Sequence, residues 1–265
     1  MMMQLLCRAS MRASMHRRWR SVVGVLCILP VLAGCTSAPL VPIPTLQYRS
    51  GEAPSQRSLL VLLRGLGADN TVFEEEGIIE EIRKRNLPFD VVAPDAHYGY
   101  YQSLTFEKRL KEDIIDPARR EGYRQIWLAG FSMGGLGCLF YMREYPGDVD
   151  GVLLSSPFLG WRPILNEIKH AGGLDSWSKT TDEQADYQRL LWSWVKTYDF
   201  NERTPVWLGY GENDVVTADG PAMLAARLPM GHAFSVPGNH TVATLKTIIL
   251  RHLDMLVRDG RVSGK

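Results

Sequence analysis

The chain has 265 residues, 45% of them hydrophobic and 22% charged, with a formal net charge of +1, as expected of an ordinary globular protein with one sizeable core. The five arginines of residues 1–34 account for the positive balance, and without them 25 basic residues face 29 acidic ones. No basic block is left to bind nucleic acid, and that class of partner is excluded.

Arg8, Arg12, Arg17, Arg18 and Arg20 precede an apolar run from Val22 to Ala33, with no acidic residue before Glu52. This is a positive n-region followed by an h-region short for a membrane span. The run ends in Leu32-Ala33-Gly34-Cys35, which resembles the lipobox of bacterial lipoproteins. That resemblance implies a signal peptide over 1–34, cleavage before Cys35, lipidation of Cys35, and a lipid-anchored place in the bacterial cell envelope. Thr36, rather than Asp, after the cysteine leans towards the outer membrane, facing the periplasm. The alternative is a plain secretory signal with an incidental cysteine. Of the four cysteines, Cys7 and Cys27 leave with the signal. Cys138 is then the one thiol of the domain and is expected to pack as a small hydrophobe. Residues 35–57, with Pro39, Pro42, Pro44 and Pro54, are expected to tether the domain that follows over 58–265.

From Leu59 the pattern alternates. Leu59 to Leu63 is a continuous apolar run suited to a strand buried on both faces. Thr71-x-x-Glu74 predicts a capping box opening a helix with Ile78, Ile79 and Ile82 on one side, closed by Asn86 and Pro88. Val91 to Ala93 is the next strand, and Phe106 to Arg120 an amphipathic helix. Strands follow at 126–130, 152–154, 206–209 and 233–236, and Leu245, Ile248, Ile249, Leu253 and Leu256 mark a last helix. Such alternation predicts an α/β fold, a mostly parallel sheet with helices on both faces. Residues 158–203 break the rhythm with Trp161, Trp177, Trp192 and Trp194. They predict a small cap over the C-terminal edge of the sheet, its aromatics forming either an apolar pocket or the cap's own core. Tyr98, Tyr100 and Tyr101 are expected to narrow the entrance beneath it, which favours short to medium acyl groups.

The chemistry gathers around Gly130-Phe131-Ser132-Met133-Gly134. A strand, a Gly-x-Ser-x-Gly turn and a helix in succession form the context of a nucleophile elbow, with the Met133 N–H at the helix start as an oxyanion donor. Serine needs a base, and the base an orienting acid. Gly211-Glu212-Asn213-Asp214 follows one strand and Pro237-Gly238-Asn239-His240 the next, in the order Ser…Asp…His. Glu212 and Asp219 are alternative acids. His232 precedes its strand, and His97, His170 and His252 are expected to serve the surface or packing.

Together these motifs resemble the α/β-hydrolase-fold serine hydrolases, esterase- or lipase-like, over Leu59 to Val257. The resemblance implies Ser132 as nucleophile, His240 as base and acid, Asp214 as orienter, and the Leu66 N–H as second oxyanion donor. Arg64 stands where that family usually has histidine, either bracing the loop or facing an anionic substrate. The implied activity is hydrolysis of an ester, thioester or amide of a small or lipid-like acyl substrate. Acyl transfer by the same residues, or a non-catalytic envelope binding module, are the alternatives. No H-E-x-x-H, Cys-x-x-Cys or His/Asp cluster calls for a metal, and Gly65-x-Gly67 lacks the third glycine of a dinucleotide site. No cofactor is expected.

Overall fold

The computed structural model describes residues 37–53, 57–178 and 186–262; the expected signal segment over 1–34 and Cys35 lie outside them. Seven strands form one sheet: β1 (Thr45–Tyr48), β2 (Ser58–Leu63), β3 (Phe89–Pro94), β4 (Gln125–Phe131), β5 (Gly151–Ser155), β6 (Val206–Gly211) and β7 (Ala233–Val236), in the order β1-β3-β2-β4-β5-β6-β7. Every neighbouring pair is parallel except β1 with β3. The chain runs outward from β2 to β3, returns to β4 on the other side, and continues to β7. Loops leaving β2 and β4 therefore part at a topological switch point, the place where open α/β sheets hold ligands.

The continuous apolar runs exist because both faces are covered. Leu59, Val61 and Leu63 of β2 join one core with Ile126 and Leu128 of β4, while Leu60 and Leu62 join the other with Trp127, Ala129 and Phe131. The second face is covered by α1 (Val72–Glu75), α2 (Ile78–Lys84) and α10 (Val242–Arg258). Helices α3 (Tyr98–Gln102), α4 (Phe106–Leu110), α5 (Asp116–Glu121) and α6 (Met133–Glu144) cover the first, with α7 (Arg162–His170) and α8 (Tyr187–Thr197) of the cap and the short α9 (Gly220–Ala225). Helix α6 is buried from Met133 to Met142, as a central helix with no polar face must be.

Three local expectations are corrected. Thr45–Tyr48 lies inside the stretch expected to be tether, yet it adds an antiparallel edge strand, Thr45 facing Pro94 and Tyr48 facing Val91. The predicted capping box does not form: the Thr71 side chain makes no cap bond and instead donates to Asp69, and the helix breaks at Gly77, φ 70°. Between α4 and α5 the predicted single helix loosens into a π turn over Lys111–Ile115. Pro117 follows it; a proline offers no N–H and crowds the carbonyl four residues back, so a wider turn accommodates it.

Candidate active site

Ser132 occupies the turn between β4 and α6 at φ 50°, ψ −111°, a strained setting for a residue with a side chain. The surroundings hold it there. Its N–H donates to the Ser155 carbonyl at 3.1 Å, and its own carbonyl accepts from the Phe158 N–H at 2.9 Å. A Cβ on Gly130 would overlap the Gly134 carbonyl, and one on Gly134 would overlap the Leu63 carbonyl of β2. Those two glycines let strand, turn and helix close on one another.

His240 lies in the loop between β7 and α10. Its Nε2 is 2.9 Å from Ser132 Oγ and its Nδ1 is 2.7 Å from Asp214 Oδ2. Asp214, beyond the end of β6, accepts at Oδ1 from the N–H groups of Val216 (3.0 Å) and Thr217 (3.1 Å). Burial works against its charge, but the hydrogen bond to His240, the Thr217 amide and the Ser156 hydroxyl outweigh it and hold the carboxyl below its ordinary value. The imidazole is thereby aimed with one nitrogen at the carboxylate and the other at the serine, as proton transfer from the hydroxyl requires.

The loop after β2 closes against this centre: a Cβ on Gly65 would sit 3.4 Å from Ser132 Cβ. Arg64 is the brace of that loop. Its Nε donates to Asp95 at 2.8 Å and its Nη1 to the carbonyls of Gly65 and Ala68, and it is buried. Among the described residues, the N–H groups of Leu66 and Met133 donate to no protein acceptor.

The remaining candidates fall elsewhere. Glu212 accepts from Ser235, and exposed Asp219 pairs with Lys169. His232 stacks on Trp207, His97 caps α3, and His170 is exposed at the end of α7. His252 is buried with Nε2 donating to the Leu154 carbonyl at 3.1 Å, and burial pulls its pKa down to about 4. Cys138 is fully buried in the core, and burial pushes its thiol pKa up. Tyr100 and Tyr101 do not narrow the entrance. The first is buried with its hydroxyl on the Leu40 backbone, and the second stacks on Phe106 against α6. Most cap aromatics join the core on the first face of the sheet: the indoles of Trp177 and Trp192 donate to Glu167 and to the Leu159 carbonyl, and Trp194 packs on Tyr198 and Phe200. Trp161 and Tyr187 remain exposed.

Nothing in the sequence analysis singles out Ser156. It stands at φ 42°, its Oγ accepts from the Gly211 N–H, and its hydroxyl supports Asp214. The signal was present: Ser155-Ser156-Pro157 lies just where β5 ends, on the edge that carries Ser132. Among the described residues, no three His, Cys, Asp or Glu side chains gather as metal ligands would.

Residues 110–181, which include Ser132, match the serine aminopeptidase (S33) hydrolase family. Comparison with curated proteins finds no match. Solved structures similar in fold include Est1E from Butyrivibrio proteoclasticus (TM-score 0.57, 16% identity, covering 81% of this chain and 93% of that one). An α/β hydrolase, MGS-MChE2, from a lagoon-sediment metagenome of Mar Chica, Morocco, gives 0.53 at 20% identity over 81% and 95%. The S-formylglutathione hydrolase of Staphylococcus aureus gives 0.53 at 16% identity over 83% and 98%. The chain has the α/β-hydrolase fold.

Proposed function

We propose that this esterase-like serine hydrolase cleaves a carboxylic ester through Ser132, His240 and Asp214. The observation that carries the reading is the unbroken line of hydrogen bonds from Asp214 through His240 to Ser132, at 2.7 and 2.9 Å. Ser132 Oγ attacks the ester carbonyl carbon while its proton passes to His240 Nε2. The carbon–oxygen bond to the leaving alkoxide then breaks, and His240 returns the proton to that oxygen. Water attacks the resulting acyl-enzyme, gives its proton to His240, and the carboxylic acid departs as Ser132 is reprotonated. Asp214 holds the imidazole in the tautomer that leaves Nε2 free to accept. The N–H groups of Met133 and Leu66 receive the negative charge on the carbonyl oxygen, each such donor contributing on the order of 10²–10³ in rate.

The same proposal places the domain in the cell envelope, held by a lipidated Cys35 at the outer membrane. Two or three acyl chains on one cysteine suffice for stable retention where a single chain is marginal. Palmitate labelling checks this, since Cys35→Ser should abolish incorporation and unchanged incorporation would contradict it. For the hydrolase itself, turnover of p-nitrophenyl esters of graded length is the test. The native chain should turn them over and Ser132→Ala should lose all but about 10⁻⁴ of that activity; near-native turnover by Ser132→Ala would refute the mechanism.

A further inference from the structure

The antiparallel edge strand decides at which edge of the sheet the described chain begins. In a parallel sheet every strand ends at the edge that carries Ser132, but β1 runs the other way and begins there, Thr45 beside Pro94 at the end of β3. The chain before it stays on that edge. Pro44 accepts from the Asp95 N–H at 2.7 Å, Leu40 exchanges hydrogen bonds with the Tyr100 hydroxyl, and the Ser37 carbonyl passes so close to Gly99 that no Cβ would fit. Ser37 is thus fixed against α3, and two residues of chain reach at most about 7 Å back to Cys35. Residues 37–44 are strapped to the domain, so the described chain begins, two residues after Cys35, beside the catalytic edge.

The exposed apolar side chains are distributed to match. Leu40 and Val41 stand out on the strap, Leu66 on the loop after β2, Leu104 (86% exposed) after α3, Trp161 (61% exposed) after β5, and Val215 after β6. All six hang from the edge where the parallel strands end. Tyr98, which opens α3, and Val216, beside Val215, are exposed on the same edge; Tyr187 of α8, Met230 and Val257 are the other exposed large apolar residues among those described. An apolar rim around one face, exposed among the described residues, marks an interaction surface.

We propose that this rim rests on the phospholipid bilayer to which Cys35 is anchored, so that the active site takes an acyl ester presented from the membrane rather than from bulk solution. The proposal rests on the lipid-anchored hydrolase described above and names the source of its substrate. Side chains such as Trp161 enter the headgroup region, where aromatic rings with one polar atom are favoured. The short strap holds the face down.

The test uses the full lipidated chain in phosphatidylcholine–phosphatidylglycerol vesicles whose acyl chains are brominated. Tryptophan fluorescence should be quenched, and Trp161→Phe should lose most of that quenching while still floating with the vesicles. Leu104→Asp and Val41→Asp should leave turnover of dissolved p-nitrophenyl acetate within twofold of native. The same variants should lower turnover of p-nitrophenyl decanoate dissolved in the vesicles about tenfold. Absence of quenching in the native chain, or an equal effect on both esters, overturns the docking. A concentration-dependent dimer that buries Trp161 without quenching overturns it in favour of a second copy. Failure of the native chain to float removes the anchor, and the docking with it. Failure to hydrolyse either ester overturns the hydrolase reading instead, and the quenching still decides the docking.

Discussion

The turn at Ser132 and the cap helices are both densely packed, but they are built on opposite principles. In the turn, backbone approaches backbone, and Gly130 and Gly134 are present because a Cβ would overlap a carbonyl. In the cap, bulk fills space: Trp177 and Trp192 are buried in the core on the first face of the sheet, and Trp194 packs against it. A steric requirement of the first kind admits one residue type, so it leaves a mark in the sequence. A packing requirement of the second kind admits many arrangements, so the same tryptophans could serve a core or a pocket until their neighbours are placed.

The largest effects should come from the turn and its partners. His240→Ala should lower kcat by about 10⁴–10⁶, and the double variant with Ser132→Ala should add little, since both serve one proton transfer. Additive losses, measured on p-nitrophenyl acetate, would mean that the two side chains act separately. Gly134→Ala should destabilise the fold by about 4 kcal/mol or more, because both neighbours of the new Cβ are backbone carbonyls of Leu63 and Arg64 and cannot swing aside. Urea unfolding checks it, and a loss under about 1 kcal/mol would show that the turn can relax.

The cap should divide between its buried and exposed tryptophans. Trp192→Ala removes a fully buried ring and its hydrogen bond to the Leu159 carbonyl, and should cost about 3–5 kcal/mol. Trp161→Ala should change stability by less than about 0.5 kcal/mol. Similar values for the two would erase the distinction between cap core and cap rim.

Between these sizes lies a pH effect beneath the turn. His252 is neutral when folded, its pKa drawn from 6.5 to about 4 by burial. The unfolded chain therefore binds a proton that the folded chain refuses between those values. Stability should fall as pH drops through that window, by about 3 kcal/mol for the full shift. His252→Gln keeps a donor for Leu154 without the titration, and its unfolding free energy should lose this part of the slope between pH 7 and 4. An unchanged slope would place the titration elsewhere.

Much of the site could be read because strand ends and turn residues are local properties. The runs at β2, β4 and β5 announce strands buried on both faces, and Asp214 and His240 each follow a strand by a few residues. The rest depended on partners distant in sequence. Thr45–Tyr48, a four-residue edge strand only partly buried, has no apolar run to separate it from the proline-rich stretch around it. Arg64 could brace or face the site until Asp95 and the Ala68 carbonyl were found against it. Tyr100 and Tyr101 follow β3 as entrance residues would, but the strap from Leu40 and the Phe106 ring take them inward. Ser156 shows its part only when β5 and β6 lie side by side, with Gly211 within reach of its hydroxyl.

The claim on which the rest depends is that Ser132 is a nucleophile activated by His240. A fluorophosphonate reacts irreversibly with such a serine, and the adduct can be mapped by peptide mass spectrometry. One adduct per chain is predicted, on Ser132, formed in the native protein and lost in His240→Ala. An unmodified Ser132, or an adduct on another residue, would contradict the account.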